Sequence, residues 1–165
     1  MRGLSYLLTG WMLWAGGAGL VNAEPLALAV WSFDNNSLIA SEDVDHFQQT
    51  LPDLLLADLG RYPALQLVDR QNLVQALEEQ KLGGSELVSL EDRLKLGRIV
   101  GASAMVFGSY MVVDDQIRID IRLVEVETSL TTFSQDATTS VASVEAEMHK
   151  LAEQIGRKLT VPSPD

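Results

Sequence analysis

The stretch from Ala104 to Val126 constrains the fold more than any other part of the chain. Ala104–Val113 (AMVFGSYMVV) is apolar on both faces. Gln116–Val126 then alternates, with Ile117, Ile119, Ile121 and Leu123 on one side and Arg118, Asp120 and Arg122 on the other. Strand side chains point to opposite faces in turn, so the first run suits a central strand and the second a strand with one wet face. Asp114-Asp115 leaves room only for a tight turn between them, so the two pair antiparallel. At Leu123-Val124 the alternation flips and Val124 and Val126 become the apolar set, which predicts a bulge or a switch of covering layer. Thr128-Ser129 turns the chain into a further strand from about Leu130 to Thr138.

The preceding residues supply the rest of the sheet. Leu26–Trp31 is a short apolar run between Pro25 and the polar loop Ser32–Ser37, and Leu65–Val68 is a second. Both are too short for helices and read as buried strands. Between them Phe47, Leu51, Leu54, Leu55 and Leu59 mark one helical face that Gly60 stops. Pro52 lies inside that pattern, so this helix either starts near Thr50 or kinks. Asp69 caps a helix through Leu73, Val74, Leu77 and Lys81, stopped by Gly83-Gly84. Ser89-Leu-Glu-Asp92 is a capping box for a third helix ending about Gly101. Val144, Met148, Leu151, Ile155 and Leu159 form the apolar stripe of a last helix, with Ser143 as its cap and Arg157 and Lys158 near its end. The order β-α-β-α-α-β-β-β-α describes an α+β domain with a mixed sheet, spanning residues 24–160, followed by a loose tail at 161–165.

Residues 1–23 stand apart. Arg2 precedes an uncharged run ending Val21-Asn22-Ala23, the build of a cleaved secretory signal peptide. An uncleaved membrane anchor is the alternative, since about 20 uncharged residues can span a bilayer. The chain carries a net charge of −11, which disfavours nucleic acid and anionic membrane surfaces as partners. It has no cysteine, which excludes disulfides, thiol chemistry and a cysteine-borne lipid anchor. A periplasmic or secreted location follows.

Gly97, Gly101 and Gly108 around an apolar run raise the question of a phosphate site. A dinucleotide fingerprint requires G-x-G-x-x-G after a strand and at a helix start. Here a helix comes first, so a phosphate would meet its carbonyl end, and no Gly-Lys-Ser/Thr follows. The glycines therefore serve the fold: Gly97 for close helix packing, Gly101 for a left-handed helix end, Gly108 for space beside a crowded strand. Asp43, Asp45 and His46 do not converge on one helical face, so no metal site is expected, and His149 lies on the polar side of the last helix. Ser109 lacks a nucleophile-elbow setting. A carboxylate pair such as Asp34 and Asp69 would be needed for a hydrolase, and turn or cap roles explain both. No catalytic, cofactor or metal residues are assigned, and the chain is read as not an enzyme. Trp31, Phe33, Asn35 and Arg70, near the ends of the first two strands, are the candidate ligand or partner groove.

The ordered set Trp31-Ser-Phe-Asp-Asn35, Leu51–Leu59, Leu65–Arg70, Leu94–Ala102, Met105–Ser109 and Ile119–Thr128 resembles the soluble domain of the curli-secretion CsgG family. That domain is similar in turn to FlgO, to LpoB and to the amino-terminal domain of TolB. The resemblance implies a non-enzymatic periplasmic module acting through protein partners at the outer membrane or cell wall, with homo-oligomers possible. Two departures separate this chain from the pore-forming curli member: it has no lipidation cysteine, and it has no spare amphipathic hairpin beyond the strands the core needs. A periplasmic small-molecule sensor using the Trp31 groove is the alternative reading.

Overall fold

Extended and helical runs alternate as the periodicity requires, and the extended ones converge on one mixed sheet. The computed structural model describes residues 25–38, 42–80 and 89–160. The leader at 1–23, the Lys81 and Gly83-Gly84 helix end and the tail at 161–165 lie outside the described residues. The strands are β1 (Leu26–Val30), β2 (Asp34–Asn35), β3 (Leu65–Leu67), β4 (Ala104–Val113), β5 (Gln116–Glu125) and β6 (Thr131–Ser140). Their order is β3-β1-β4-β5-β6, with β2 beside β4. β3, β1, β2 and β4 run parallel, and β4, β5 and β6 form the antiparallel meander expected from the hairpin.

β2 was not foreseen as a strand. β1 pairs with β4 at Leu28–Val30, the chain leaves the ladder at 31–33, and Asp34-Asn35 rejoins β4 opposite Ser109-Tyr110. The helices are α1 (Glu42–Asp45), α2 (Phe47–Leu59), α3 (Arg70–Glu79), α4 (Leu90–Ile99) and α5 (Val144–Thr160). α2 starts at Phe47, so Pro52 lies inside it and not at its head. Proline has no N–H to give the carbonyl four residues back. That carbonyl, of Gln48, instead accepts the Phe33 N–H at 3.2 Å. The helix defect thus becomes an anchor for the segment between β1 and β2.

Asp69 caps α3 by accepting from Gln71 N–H (2.8 Å), and Ser89 caps α4 by accepting from Asp92 N–H (3.1 Å). The start of α5 differs from expectation. Ser143 ends a 3-10 turn, Val141–Ser143, that leads into the helix, and its hydroxyl bonds Ser140 Oγ instead of capping. Gly101 follows α4 with φ +74°, the left-handed turn expected of it.

Two apolar layers cover the sheet. One face packs Leu28, Val106, Tyr110 and the Ile117–Leu123 row against Phe47, Leu51, Leu55 and Leu59 of α2 and Met148, Leu151 and Ile155 of α5. The other packs Ala29, Met105, Phe107, Val124 and Val126 against Leu73 of α3 and Leu94 of α4. The flip at Leu123-Val124 marks the passage between layers, and the β6 register slips there as well, Leu123 facing Phe133 and Val124 facing Thr131. Glycines permit close contact in both layers. A Cβ on Gly97 would collide with Met105 Sδ, and one on Gly108 would stand 2.5 Å from the Phe33 ring.

Candidate functional site

The second helical layer stops partway across the sheet. Beyond Phe107 the same face of β4, β5 and β6 holds Met111, Val113, Arg118, Arg122 and Asp136 in exposed positions. The β4–β5–β6 register brings these side chains into rows: Arg122 with Ser134, Asp120 with Asp136 and Ser109, Arg118 with Thr138 and Met111. Two carboxylates directly opposite on neighbouring strands repel. Arg118 resolves that conflict, its Nη2 lying 2.9 Å from Asp120 Oδ1 and 3.4 Å from Asp136 Oδ2. Hydrogen bonding to Asp120, then the charges of Asp120 and Asp136, push the Arg118 guanidinium still higher than its ordinary range. Arg122 stacks over Phe107, 5.7 Å from the ring centre, and among the described residues makes no ion pair.

At the inner border of this face lies a hollow of about 400 Å³ between β2 and β5, lined by Asp34, Ser109, Asp120, Arg122 and Ser134. Asp34 is gripped by both terminal nitrogens of Arg93 from α4, at 2.9 and 3.0 Å. The same guanidinium lies 5.5 Å from the centre of the Trp31 ring. A planar fork matched to a carboxylate and stacked on an indole fixes α4 against the β1–β2 junction.

Residues 24–114 match the family described as the curli production assembly/transport component CsgG. The chain belongs to the CsgG family. In this CsgG-family chain the matched segment holds β1 to β4 and ends in the turn before β5, so β5, β6 and α5 lie beyond it. Among solved structures it is similar to the LpoB C-terminal domain from Salmonella enterica, with TM-score 0.57 and 19% identity over 73% of this chain and 87% of that one. It is similar to TolB from Acinetobacter baumannii, with TM-score 0.56 and 13% identity over 84% of this chain and 29% of that one. The PelC dodecamer from Paraburkholderia phytofirmans gives TM-score 0.51 and 12% identity over 84% of this chain and 90% of that one. These likenesses establish a shared α+β fold. No curated protein sequence matches the chain.

The four groove residues of the CsgG-family chain do not share one surface. Trp31 and Arg70 line a small pocket of about 60 Å³ with Val30, Ser32 and Leu73. Arg70 is tied there to Asp53 and to Ser32 Oγ, each at 3.1 Å. Phe33 turns to the opposite layer, 1% exposed, over Gly108. Asn35 sits on β2 and donates to Asp45 Oδ1 at 2.8 Å. The remaining candidates are dispersed. His46 stacks on Phe47 (4.1 Å between centroids), and His149 Nδ1 pairs with Asp58 Oδ2 at 3.0 Å across α2 and α5.

Among the described residues Tyr110 carries a strongly perturbed phenol. Burial, then the charge of Asp45, pushes its phenol up to about 12, while a backbone hydrogen bond from Gln48 opposes the rise. Its hydroxyl donates to the Val44 carbonyl at 2.9 Å, fastening α1 to β4.

Sequence reasoning missed Arg93 and the Arg118–Asp136 contact. Arg93 reads as one more polar residue of an amphipathic helix, 59 positions from its partner. The Asp120–Asp136 conflict exists only once the strand register is known.

Proposed function

We propose that the protein is a non-enzymatic, periplasmic protein-interaction or assembly module, accessory to an envelope or surface-structure assembly complex. The observation that carries this reading is the open half of the sheet: a mixed-charge face, fixed by the Arg118 ion pairs, beside the exposed apolar side chains Met111 and Val113. Faces that combine fixed charges with exposed apolar groups suit partner docking, where charge sets register and apolar contact adds affinity. Membership of a family described as an assembly and transport component supports it.

The carboxylates that a hydrolase would use have other duties. Asp34 is held by Arg93, Asp69 caps α3, and Asp120 and Asp136 share Arg118. The pocket that Trp31 and Arg70 share has about 60 Å³, well below the roughly 300 Å³ at which small-molecule sites begin. The adjoining hollow of about 540 Å³ at Ser32 and Arg70 is lined mostly by polar side chains of α3, unlike the apolar lining such sites favour. The sensor reading is therefore the less supported one. On this reading residues 1–23 direct export, placing the domain where envelope complexes assemble.

The test is capture of partners from periplasmic and outer-membrane extracts by the exported protein, beside an Arg118→Glu/Arg122→Glu variant. A defined partner retained by the wild type and lost by the folded variant supports the proposal. Capture of nothing, or equal capture by both, contradicts it.

A further inference from the structure

β6 forms one end of the sheet, and among the described residues no strand lies on its outer side. A free edge exposes unpaired N–H and C=O groups that template another strand, so natural edges are blunted by shortness, lysine, proline or bulges. β6 is ten residues long and reads TTFSQDATTS. It has no lysine and no proline, and its one ionisable side chain, Asp136, is occupied on its own sheet by Arg118. Its irregularity lies near its start, where Leu123 faces Phe133 and Val124 faces Thr131. From Phe133 to Ser140 the ladder is regular and rich in threonine, which favours strands. The Gln135 side chain folds back to donate to the Asp136 carbonyl at 3.1 Å, satisfying within the strand a group that a neighbouring strand could take over.

We propose that this edge pairs antiparallel with the β6 edge of a second copy of the chain, with Gln135 on the two-fold axis. The inference rests on the interaction-module reading and names one partner for it. An isologous pairing brings the same strand to itself, so the register must be self-complementary. Centred on Gln135, Phe133 faces Ala137, large against small, on the side that packs on α5. On the open side Ser134 faces Asp136, hydroxyl against carboxylate. Centring on Asp136 would set two carboxylates opposite each other, which is destabilising. Centring on Ser134 would set Phe133 against Gln135 and run Ala137 into the irregularity near Thr131. Only the Gln135 register of these three matches both faces. A nearly uncharged edge also matters for a chain of net charge −11, because two such copies repel at long range. Salt screens that repulsion without touching backbone pairing, so the dimer strengthens as salt rises.

The chain has no cysteine, so each single substitution introduces one thiol. In the exported protein, mild oxidation of Gln135→Cys should give a disulfide-linked dimer, because directly opposite Cβ atoms lie about 4.5–5.5 Å apart. Phe133→Cys and Ala137→Cys, which share the α5 side in this register, should each stay without a cross-link alone and cross-link when mixed. Light scattering of the unmodified protein should show dimer rising with concentration and with salt, and Gln135→Lys should weaken it at least tenfold by setting two like charges on the axis. A monomer at every concentration and salt, or Ala137→Cys linking to itself as readily as Gln135→Cys, overturns the proposal. If the protein is monomeric yet still captures an envelope partner, self-pairing fails and the interaction-module reading stands.

Discussion

Alanine at Gly108 adds a single methyl group at one of the tightest contacts in the molecule. Its Cβ would lie 2.5 Å from two ring carbons of Phe33 and 2.6 Å from a third. Ordinary carbon contacts need about 3.5–4.0 Å, so the ring or the strand must retreat by about 1 Å. Neither is free to do so. Phe33 is 1% exposed and its N–H is bound to Gln48, while Gly108 lies in β4 between paired strands. Overpacking of this kind costs about 1–3 kcal/mol. Replacing glycine within a strand returns about 0.5–1 kcal/mol of backbone entropy. The net loss is about 1–2 kcal/mol, which lowers a urea midpoint by roughly 0.5–1 M. With residues 1–23 removed, Trp31 is the sole tryptophan and its fluorescence reports the transition. Phe33→Leu should relieve the clash, so the double variant should lose less than the sum of the two single losses. A Gly108→Ala protein as stable as wild type, or strictly additive losses, would refute the packing argument.

Other outcomes follow from the same structure. Gly101 has φ +74° and open space around it, so Gly101→Val should cost about 1–2 kcal/mol through backbone strain alone and leave partner capture unchanged; a variant that folds normally and loses only binding contradicts this. Tyr110 holds its proton more tightly in the folded chain than in the unfolded one, with its pKa pushed up to about 12 from 10.0. Its contribution is therefore fully present below pH 10 and is lost as pH rises from 10 toward 12. Tyr110→Phe forfeits the bond to the Val44 carbonyl, lowering neutral-pH stability by about 1 kcal/mol, and should flatten the alkaline decline. Urea midpoints measured for both proteins across that pH range decide it, and parallel curves sink the assignment.

What could be read in advance was whatever is fixed by neighbours close in sequence. The β4–β5 hairpin, the break at Leu123-Val124, the stripe of α5 and the caps at Asp69 and Ser89 all announce themselves within a few residues. The elements that escaped are made by distant partners. Asp34-Asn35 is a strand only because β4 offers Ser109 and Tyr110 beside it. Pro52 is tolerated inside α2 because the Gln48 carbonyl it strands finds the Phe33 N–H. Simple alternation would put Trp31 and Phe33 on one side. The chain leaves the ladder between them, so Trp31 packs in one layer and Phe33 in the other. The groove expected from these residues is divided for that reason. The open face was half legible, since the alternation Arg118, Asp120, Arg122 marked a wet side, but the role of Arg118 as a bridge needs Asp136 from a strand whose register no local signal sets.

The most direct test of the interaction reading is hydrogen exchange on the exported protein, alone and with the envelope partner it captures. The account predicts slowed exchange confined to the open side of the meander, above all in β6 and around Arg118 and Arg122, with α2 and α5 unchanged. Protection confined to α2 and α5, or no protection anywhere in the domain, would contradict it.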